Sequence, residues 1–283
     1  MGVTIDGSTV LITGASSGIG AAVARVLAPR AALLILVARR RHRLLALKDE
    51  LLNAHPALKV DVYECDLSQV ANARQLAHTV LTDHQAVDLL INNAGLGQIG
   101  PLHAADPTHL DTMLGVNILG LTGLTHALLP SMVDRKQGAI LNVSSGFGLI
   151  WSPFFAAYVG SKHYLTAFSE SLRSELAGTG VTVCQVCPGP VATEFEEKAG
   201  SPLPPSVPIP MQLSSQSVAR QMIRALEANR ALFVPGFLAW IGIHLGRLVP
   251  RVLQRVALRV VVPFIRRRLF PDGSSMGHRG SAD

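Results

Sequence analysis

The chain alternates short apolar runs with longer segments of helical periodicity, and this alternation limits its possible folds more than any other feature. Six runs are predicted strands, at residues 9–12, 33–37, 59–64, 89–91, 139–143 and 181–186. Six segments are predicted helices, at residues 18–27, 41–52, 70–82, 108–129, 157–176 and 215–228. Near-continuous Val, Ile and Leu runs are typical of parallel strands that are buried on both faces. The pattern therefore predicts a doubly wound α/β fold, with a parallel sheet flanked by helices.

Length and composition favour a folded protein in a reducing compartment. The 283 residues are 48% hydrophobic and only 16% charged, which argues against disorder. Three cysteines, Cys65, Cys184 and Cys187, cannot all pair in disulfides. The first apolar run, residues 9–12, is too short for a secretory signal peptide. We therefore expect a cytoplasmic protein, and we expect no metal site.

The formal net charge of +6 comes entirely from the C-terminal part of the chain. Residues 1–230 carry 17 basic and 17 acidic side chains, whereas residues 231–283 carry eight arginines and two aspartates. The basic charge therefore says little about the main domain, and no nucleic-acid partner is expected. We predict a main domain over residues 1–230 and an apolar, basic extension over residues 231–283.

The C-terminal extension has the pattern of a basic amphipathic tail. Its arginines recur every four residues with apolar residues between them, at Arg247, Arg251, Arg255 and Arg259. The longest uncharged stretch, residues 231–246, is shorter than the ~20 residues needed to span a bilayer. A helix that lies peripherally on an anionic membrane surface would explain both the charge and the apolar faces. The alternative is that the extension docks on the main domain or on a subunit partner.

The first predicted strand runs into a glycine-rich turn, Thr13-Gly-Ala-Ser-Ser-Gly-Ile-Gly20, and then into a helix. The three glycines let the backbone turn tightly and let a pyrophosphate approach the helix N-terminus, where free N–H groups favour negative charge. This is the context of a Rossmann-like dinucleotide site. Its candidate contacts are Gly14, Ser16, Ser17, Gly18, Ile19 and Gly20. The alternative is a plain strand–helix turn.

A tyrosine and a lysine four residues apart form a candidate acid/base pair. Tyr158 and Lys162 lie on one face of a predicted helix. An ammonium close to a phenol favours the phenolate and brings the pKa of the phenol nearer to the working range. Taken alone, such a pair is more often ordinary helix surface. Ser145, which ends the preceding strand segment thirteen residues upstream, favours the catalytic interpretation.

Further motifs occur in a fixed order along the chain. They are Asp66, Asn92-Asn-Ala-Gly95, Asn117, Asn142-Val-Ser-Ser145, Tyr158-Val-Gly-Ser-Lys162 and Pro188-Gly-Pro-Val-Ala-Thr193. With the glycine-rich turn, they resemble the short-chain dehydrogenase/reductase family over about residues 5–230. The spacing of the glycines is similar to that of the ordinary branch of the family, and differs from the longer, epimerase-like branch.

The resemblance implies a role for each motif residue. Ser145 would hydrogen-bond the substrate oxygen, with Ser144 ranked second, and Tyr158 would give or take the proton. Lys162 would also hold the nicotinamide ribose, and Asn117 would join it in a water-mediated proton relay. Further cofactor contacts would be Asp66, Leu67, Asn93, Ala94, Gly95, Pro188, Gly189, Val191 and Thr193. Family members often form homodimers or homotetramers through the helices that bear Asn117 and Tyr158.

The residues after the second strand favour NADP over NAD. NAD enzymes usually place a carboxylate there to bind the ribose 2′-OH. This chain reads Val37-Ala-Arg-Arg-Arg-His-Arg43, without an acid. Arg39 and Arg40 could bind a 2′-phosphate through charge-assisted hydrogen bonds. The alternative is a solvated helix start, and Ser17 stands where some NADP-binding relatives carry a basic residue.

The residues around the predicted site suggest an apolar substrate. Residues 192–211 fall where the family places its substrate lid. Five apolar side chains between Ser145 and Tyr158 form either a pocket wall or a core or oligomer surface: Phe147, Leu149, Trp151, Phe154 and Phe155. We therefore expect an NADP(H)-dependent oxidoreductase that acts on a lipophilic ketone or alcohol, of fatty-acyl, steroid-like or isoprenoid type. The alternatives are a catalytically silent cofactor sensor and a membrane-tethered scaffold of the same fold.

Overall fold

The computed structural model of the chain describes residues 3–200 and 212–270. The strands are β1 Thr9–Thr13, β2 Leu33–Ala38, β3 Lys59–Glu64, β4 Leu89–Asn92, β5 Gly138–Val143, β6 Val181–Val186, β7 Val191–Ala192, β8 Leu213–Ser214 and β9 Leu232–Phe233. The helices are α1 Gly18–Leu27, α2 Arg41–Ala54, α3 Val70–His84, α4 Pro107–Leu114, α5 Leu121–Asp134, α6 Ala156–Glu175, α7 Phe195–Lys198, α8 Ser215–Glu227, α9 Phe237–Leu248 and α10 Arg251–Leu269.

Seven strands form one parallel sheet in the order β3-β2-β1-β4-β5-β6-β9. The order reverses beside β1, which is the switch point of a doubly wound fold. A second, two-stranded parallel sheet joins β7 to β8. The doubly wound, Rossmann-like fold that the sequence predicts is therefore confirmed.

Each face of the sheet has its own hydrophobic core because side chains alternate along a strand. Val10 and Ile12 of β1 join the cluster that contains buried residues of α1, α2 and α8, whereas Leu11 joins the opposite cluster with α3, α5 and α6. Burial on both faces explains why these strands read as continuous apolar runs. The sheet is thereby held between two helical layers.

The predicted helix at residues 108–129 lies within one continuous helical stretch that is not α-helical throughout. Helix α4 ends at Leu114, a π-helical turn occupies Gly115–Gly120, and α5 then runs to Asp134. A Cβ at Gly115 or Gly120 would collide with the carbonyl oxygen of Ser68 or Leu67, respectively. The helix therefore approaches the backbone after β3 more closely than a side chain allows. Such π turns often occur at functional sites, and this one holds Asn117.

The folded core continues past residue 230, where the sequence pattern places the domain boundary. Strand β9 pairs with β6, and Val234 and Ile243 are buried in a small cluster with Cys187. Helix α10, in contrast, has no buried residue. The predicted extension thus has two parts: β9 and α9, which are anchored in the core through Val234 and Ile243, and α10, which is not.

Within residues 3–200 and 212–270, one helix is long and apolar enough to cross a membrane. It is the continuous helical stretch Pro107–Asp134, and 56% of its most apolar window is buried inside the protein. A core helix of a compact domain has the same length and composition, so this finding is weak evidence for a membrane span.

We predict that Gly120→Ala lowers the free energy of unfolding by about 2 kcal/mol or more, because its methyl group would collide with the Leu67 backbone. Gly160→Ala in α6 is the matched control, since its added Cβ would meet nothing within 4 Å. Alanine is the better helix former by up to about 1 kcal/mol. Urea unfolding measures both variants. Equal stability of the two would contradict the close approach at Gly120.

Candidate active site

The predicted motifs converge because they follow strands of one parallel sheet. The glycine-rich turn follows β1, Asn93 follows β4, Ser144 and Ser145 follow β5, and Pro188 follows β6. The carboxyl ends of parallel strands lie at the same edge of the sheet, where open α/β folds bind their ligands. These residues therefore surround one crevice.

The glycine-rich turn has the geometry of an anion cradle. Gly14 and Gly18 have φ of 66° and 57°, which side chains other than glycine rarely adopt. A Cβ at Gly14 would lie 2.9 Å from the Asn93 amide nitrogen, and one at Gly18 would lie 3.0 Å from the Thr193 methyl carbon. Ser17, the N-cap of α1, makes no capping hydrogen bond with its side chain. The exposed helix N-terminus thus fits the pyrophosphate of a dinucleotide.

Hydrogen bonds of Asn93 and Thr13 hold the glycine-rich turn in place. The Asn93 Nδ2 donates to the carbonyl oxygens of Thr13 at 2.9 Å and Gly14 at 3.3 Å. The Thr13 hydroxyl accepts from the backbone amides of Asn93 and Ala94, both at 3.0 Å. A Cβ at Gly20 would collide with the Gly14 carbonyl. These bonds hold the turn after β1 against the turn after β4.

The two adjacent serines after β5 have different partners. The Ser144 hydroxyl is buried and donates to the Lys162 carbonyl oxygen at 3.2 Å, with the Thr166 hydroxyl also at 3.2 Å. The Ser145 hydroxyl accepts from the Phe147 amide at 3.2 Å, and Ser145 lies close enough to the Tyr158 phenol to lower its pKa. Ser144 therefore joins β5 to α6, whereas Ser145 faces the candidate acid.

Burial dominates the protonation of the Tyr158–Lys162 pair. Each residue is only 5% exposed. Burial raises the pKa of Tyr158 to about 12, and the nearby Ser145 hydroxyl opposes the rise. Burial lowers the pKa of Lys162 to about 8.

The sequence predicts that the Lys162 ammonium lowers the pKa of the Tyr158 phenol, but the structure of the protein alone does not have this effect. Lys162 Nζ lies 5.8 Å from the centre of the Tyr158 ring and donates to the Val143 carbonyl oxygen at 3.1 Å. The ammonium charge is itself disfavoured by burial. The phenol consequently keeps its proton at neutral pH.

Asn117 reaches the same crevice from the π-helical turn. Its Nδ2 donates to the Leu96 carbonyl oxygen at 2.9 Å and to the Ser161 hydroxyl at 3.0 Å, and its Oδ1 accepts from the Leu96 amide at 2.9 Å. A Cβ at Gly95 would lie 3.4 Å from both Asn117 Oδ1 and Lys162 Nζ. The side chains of Asn117 and Lys162 therefore both lie close to Gly95, and no direct hydrogen bond joins them.

The basic residues after β2 reach across to the glycine-rich turn. Arg40 donates to the Ser16 hydroxyl at 3.1 Å and to the Ser17 hydroxyl at 2.8 Å. The basic group that the turn itself lacks is thus supplied by Arg40. Arg39 is exposed, and its side chain has no ion-pair partner among residues 3–200 and 212–270. Sequence patterns did not indicate this difference between the two arginines.

The remaining predicted cofactor contacts occupy the same edge. The Asp66 carboxylate accepts from the Ser68 amide at 3.0 Å, and Leu67 is buried in the core. The Pro188 carbonyl accepts from the Gly146 amide at 2.7 Å. A Cβ at Gly189 would lie 3.1 Å from Ala239 of α9. Val191 is buried in strand β7, two residues before Thr193.

Aromatic side chains cover Tyr158 from two sides. The ring of Phe147 lies 6.4 Å from the Tyr158 ring, and the ring of Phe195 in α7 lies 5.4 Å from it. Phe155 packs on Phe147 at 4.7 Å. Helix α7 and its preceding residues form the described part of the predicted lid, and residues 201–211 lie outside the described residues. The aromatics near Tyr158 thus form a wall of the crevice.

The rest of the predicted aromatic wall faces elsewhere or meets the extension. Trp151 is exposed, and Phe154 packs on Phe270 at 5.0 Å. Leu149 packs instead against the small buried cluster that includes Ile243 of α9. A Cβ at Gly146 would lie 2.9 Å from Ile243. This contribution of α9 was not predicted from the sequence, because Ile243 and Gly146 lie nearly a hundred positions apart.

Residues 8–203 match the family profile described as short chain dehydrogenase. The chain belongs to the short-chain dehydrogenase family. A short chain dehydrogenase of Pseudocercospora fijiensis is 39% identical over 195 residues, which are 68% of this chain and 62% of that protein. Human dehydrogenase/reductase SDR family member 7 is 37% identical over 196 residues, which are 67% of this chain and 57% of that protein. The short-chain dehydrogenase described here spans about three fifths of the length of these curated relatives.

Solved structures of short-chain dehydrogenases have the same fold. One from Sphingobium yanoikuyae, in complex with NADPH, has a TM-score of 0.75 and 27% identity, covering 98% of this chain and 99% of that chain. One from Burkholderia phymatum, in complex with NAD, has a TM-score of 0.75 and 26% identity, covering 85% and 92%. Structural relatives of this short-chain dehydrogenase therefore include one solved with NADPH and one solved with NAD.

Proposed function

We propose that this short-chain dehydrogenase is an NADP(H)-dependent oxidoreductase that reduces a lipophilic ketone to an alcohol. The observation that carries the proposal is that the Ser145 and Tyr158 hydroxyls converge beside Lys162, at the edge of the sheet that holds the glycine-rich turn. A hydroxyl pair of this kind can bind one carbonyl oxygen and protonate it.

The protein residues supply binding and a proton. A bound nicotinamide supplies the hydride for the carbonyl carbon. Ser145 donates a hydrogen bond to the carbonyl oxygen, and Tyr158 donates its proton to the same oxygen. The pKa of Tyr158 near 12 keeps that proton in place at neutral pH, which suits reduction. Lys162 and Asn117, which meet at Gly95, are the proposed route by which the proton is replaced.

The choice of NADP rests on the cations after β2. No carboxylate follows β2 to accept a ribose 2′-OH, and Arg40 crosses to Ser16 and Ser17 in the turn that would hold the pyrophosphate. Guanidinium groups suit a phosphate because they bind its oxygens with several donors.

A lipophilic substrate is favoured by the walls of the crevice. The rings of Phe147 and Phe195 pack on Tyr158, with Phe155 behind Phe147, and Ile243 lies against Gly146. A carbonyl held among such groups is shielded from water, and apolar substituents would gain about 25 cal/mol per Å² that they bury. Fatty-acyl, steroid-like and isoprenoid ketones have this chemistry.

We predict that Tyr158→Phe and Ser145→Ala each lower kcat/KM for NADPH-dependent ketone reduction by about a hundredfold or more, because each removes a group that acts on the carbonyl oxygen. Ser144→Ala is the matched control and should cost less than about tenfold, since Ser144 binds helix α6 instead. NADPH consumption with a panel of hydrophobic ketones measures all three. Wild-type rates in Tyr158→Phe would favour a catalytically silent cofactor sensor.

We also propose that two copies of the chain associate through the helices that bear Asn117 and Tyr158. Leu119 and Tyr164 are exposed large side chains on these helices. Tyr164 is held by a 2.9 Å hydrogen bond to Thr122 and stacks on Phe168 at 5.9 Å, so the surface is ordered.

Light scattering should show a homodimer or homotetramer, and Leu119→Asp should shift the protein to monomers. A monomeric wild type would contradict this proposal.

The C-terminal helices are proposed to hold this cytoplasmic enzyme peripherally on an anionic membrane. Of the 17 exposed large hydrophobic residues in the described chain, 12 lie between Phe237 and Phe264. The same segment carries four regularly spaced arginines and no acid, and Arg266, Arg267 and Arg268 follow it. Exposed apolar residues together with excess arginine are the combination that binds anionic lipid surfaces.

For the membrane contact, we predict that the double variant Val260→Asp/Phe264→Asp lowers sedimentation with phosphatidylserine vesicles by about fivefold or more. Both residues are exposed on α10, so the fold should be retained. Leu102→Asp, at an exposed residue of the main domain, is the control. Equal sedimentation of the double variant and the wild type would refute membrane binding through α10.

A further inference from the structure

Glu194 is held by three cations at the mouth of the crevice. Its carboxylate accepts from Arg40 at 2.9 Å, from Lys198 at 2.5 Å, and from Arg43. These partners hold the pKa of Glu194 well below its usual range, with Lys198 contributing most. Two of the three cations lie about 150 positions away in the sequence, in the segment after β2. The contact therefore ties the start of α7 to the basic segment after β2.

The position of this carboxylate coincides with the proposed site of the cofactor 2′-phosphate. In dinucleotide-binding folds, the residues after the second strand read the 2′ position of the adenosine ribose. Arg40 belongs to that segment, and the same guanidinium also donates to Ser16 and Ser17. A carboxylate on Arg40 and Arg43 thus occupies the donors that a phosphate would need.

We propose that Glu194 competes with the 2′-phosphate for Arg40 and Arg43 and thereby determines the preference between NADP and NAD. The proposal rests on the function proposed above. A bound 2′-phosphate must displace the carboxylate from both guanidinium groups, whereas NAD, with a free 2′-OH, leaves these ion pairs intact. Glu194 therefore weakens the binding of NADP and leaves that of NAD unchanged.

Glu194 also belongs to the segment that covers the candidate acid, Tyr158. Glu194 immediately precedes Phe195, whose ring packs on Tyr158 at 5.4 Å. A Cβ at Gly97 would lie 2.5 Å from the Phe195 ring, so α7 is closely packed in this position. The carboxylate that occupies the phosphate donors thus belongs to the segment that covers Tyr158.

The test measures binding of NADPH and NADH, which differ only in the 2′-phosphate, by calorimetry. We expect Glu194→Gln to raise the ratio of NADPH affinity to NADH affinity about tenfold, because the ion pairs with Arg40 and Arg43 no longer oppose the phosphate. Glu197→Gln is the matched control, as an exposed acid of the same helix, and should leave the ratio within about twofold. In an Arg40→Ala background, Glu194→Gln should have a much smaller effect on the ratio.

An unchanged or lowered ratio in Glu194→Gln would overturn the competition. An equal effect of Glu194→Gln with and without Arg40 would also overturn it, since Arg40 would then not be the shared partner. Circular dichroism and thermal unfolding verify that each variant is folded. Failure of the wild type to bind either dinucleotide would instead refute the proposed function, so the two failures are distinguishable.

Discussion

The parallel direction of every strand is the constraint on which the site depends. It brings the carboxyl ends of β1, β4, β5 and β6 to one edge of the sheet. The residues that directly follow these strands, such as Gly14 and Pro188, therefore lie close together although they are far apart in the sequence. Antiparallel pairing would send alternate turns to opposite edges. The close approach of these turns then requires small residues, and the Asn93 amide can bind the Gly14 carbonyl only because Gly14 and Gly20 lack side chains.

A buried polar network joins the same strands to the helices behind them. Asn92 donates to Asn142 at 2.9 Å and to Thr125 at 3.0 Å, and Asn142 donates to Ser169 at 2.9 Å. Each of these donors has a partner, so the network orients β4, β5, α5 and α6 without an unsatisfied group. Lys162 lies on α6 in this framework, and its ammonium binds the last residue of β5. The geometry of the acid/base pair is therefore fixed by the core and not by surface contacts.

The sequence predicted the parts of the fold that depend on local pattern. The predicted strand at residues 33–37 matches β2 to within one residue because its buried side chains form a continuous apolar run. The π-helical turn at Gly115–Gly120 was not predictable, since the apolar periodicity continues through Val116, Ile118 and Leu119 and the turn lies at a contact with the distant backbone after β3. The position of Ile243 against Gly146 was likewise hidden, because it joins residues nearly a hundred positions apart.

The contacts of the arginines after β2 could not be predicted from the sequence either, and they determine the electrostatics of the crevice. The sequence indicated basic residues after β2, but the bond from Arg40 to Ser17 and its ion pair with Glu194 depend on the folded path of the chain. An acid absent from the segment after β2 is supplied from the segment after β7. The crevice therefore holds both a cluster of cations suited to a phosphate and a carboxylate that opposes one. Under the proposed competition, affinity for a 2′-phosphate is set by the difference between two sets of ion pairs, which makes it sensitive to a single side chain.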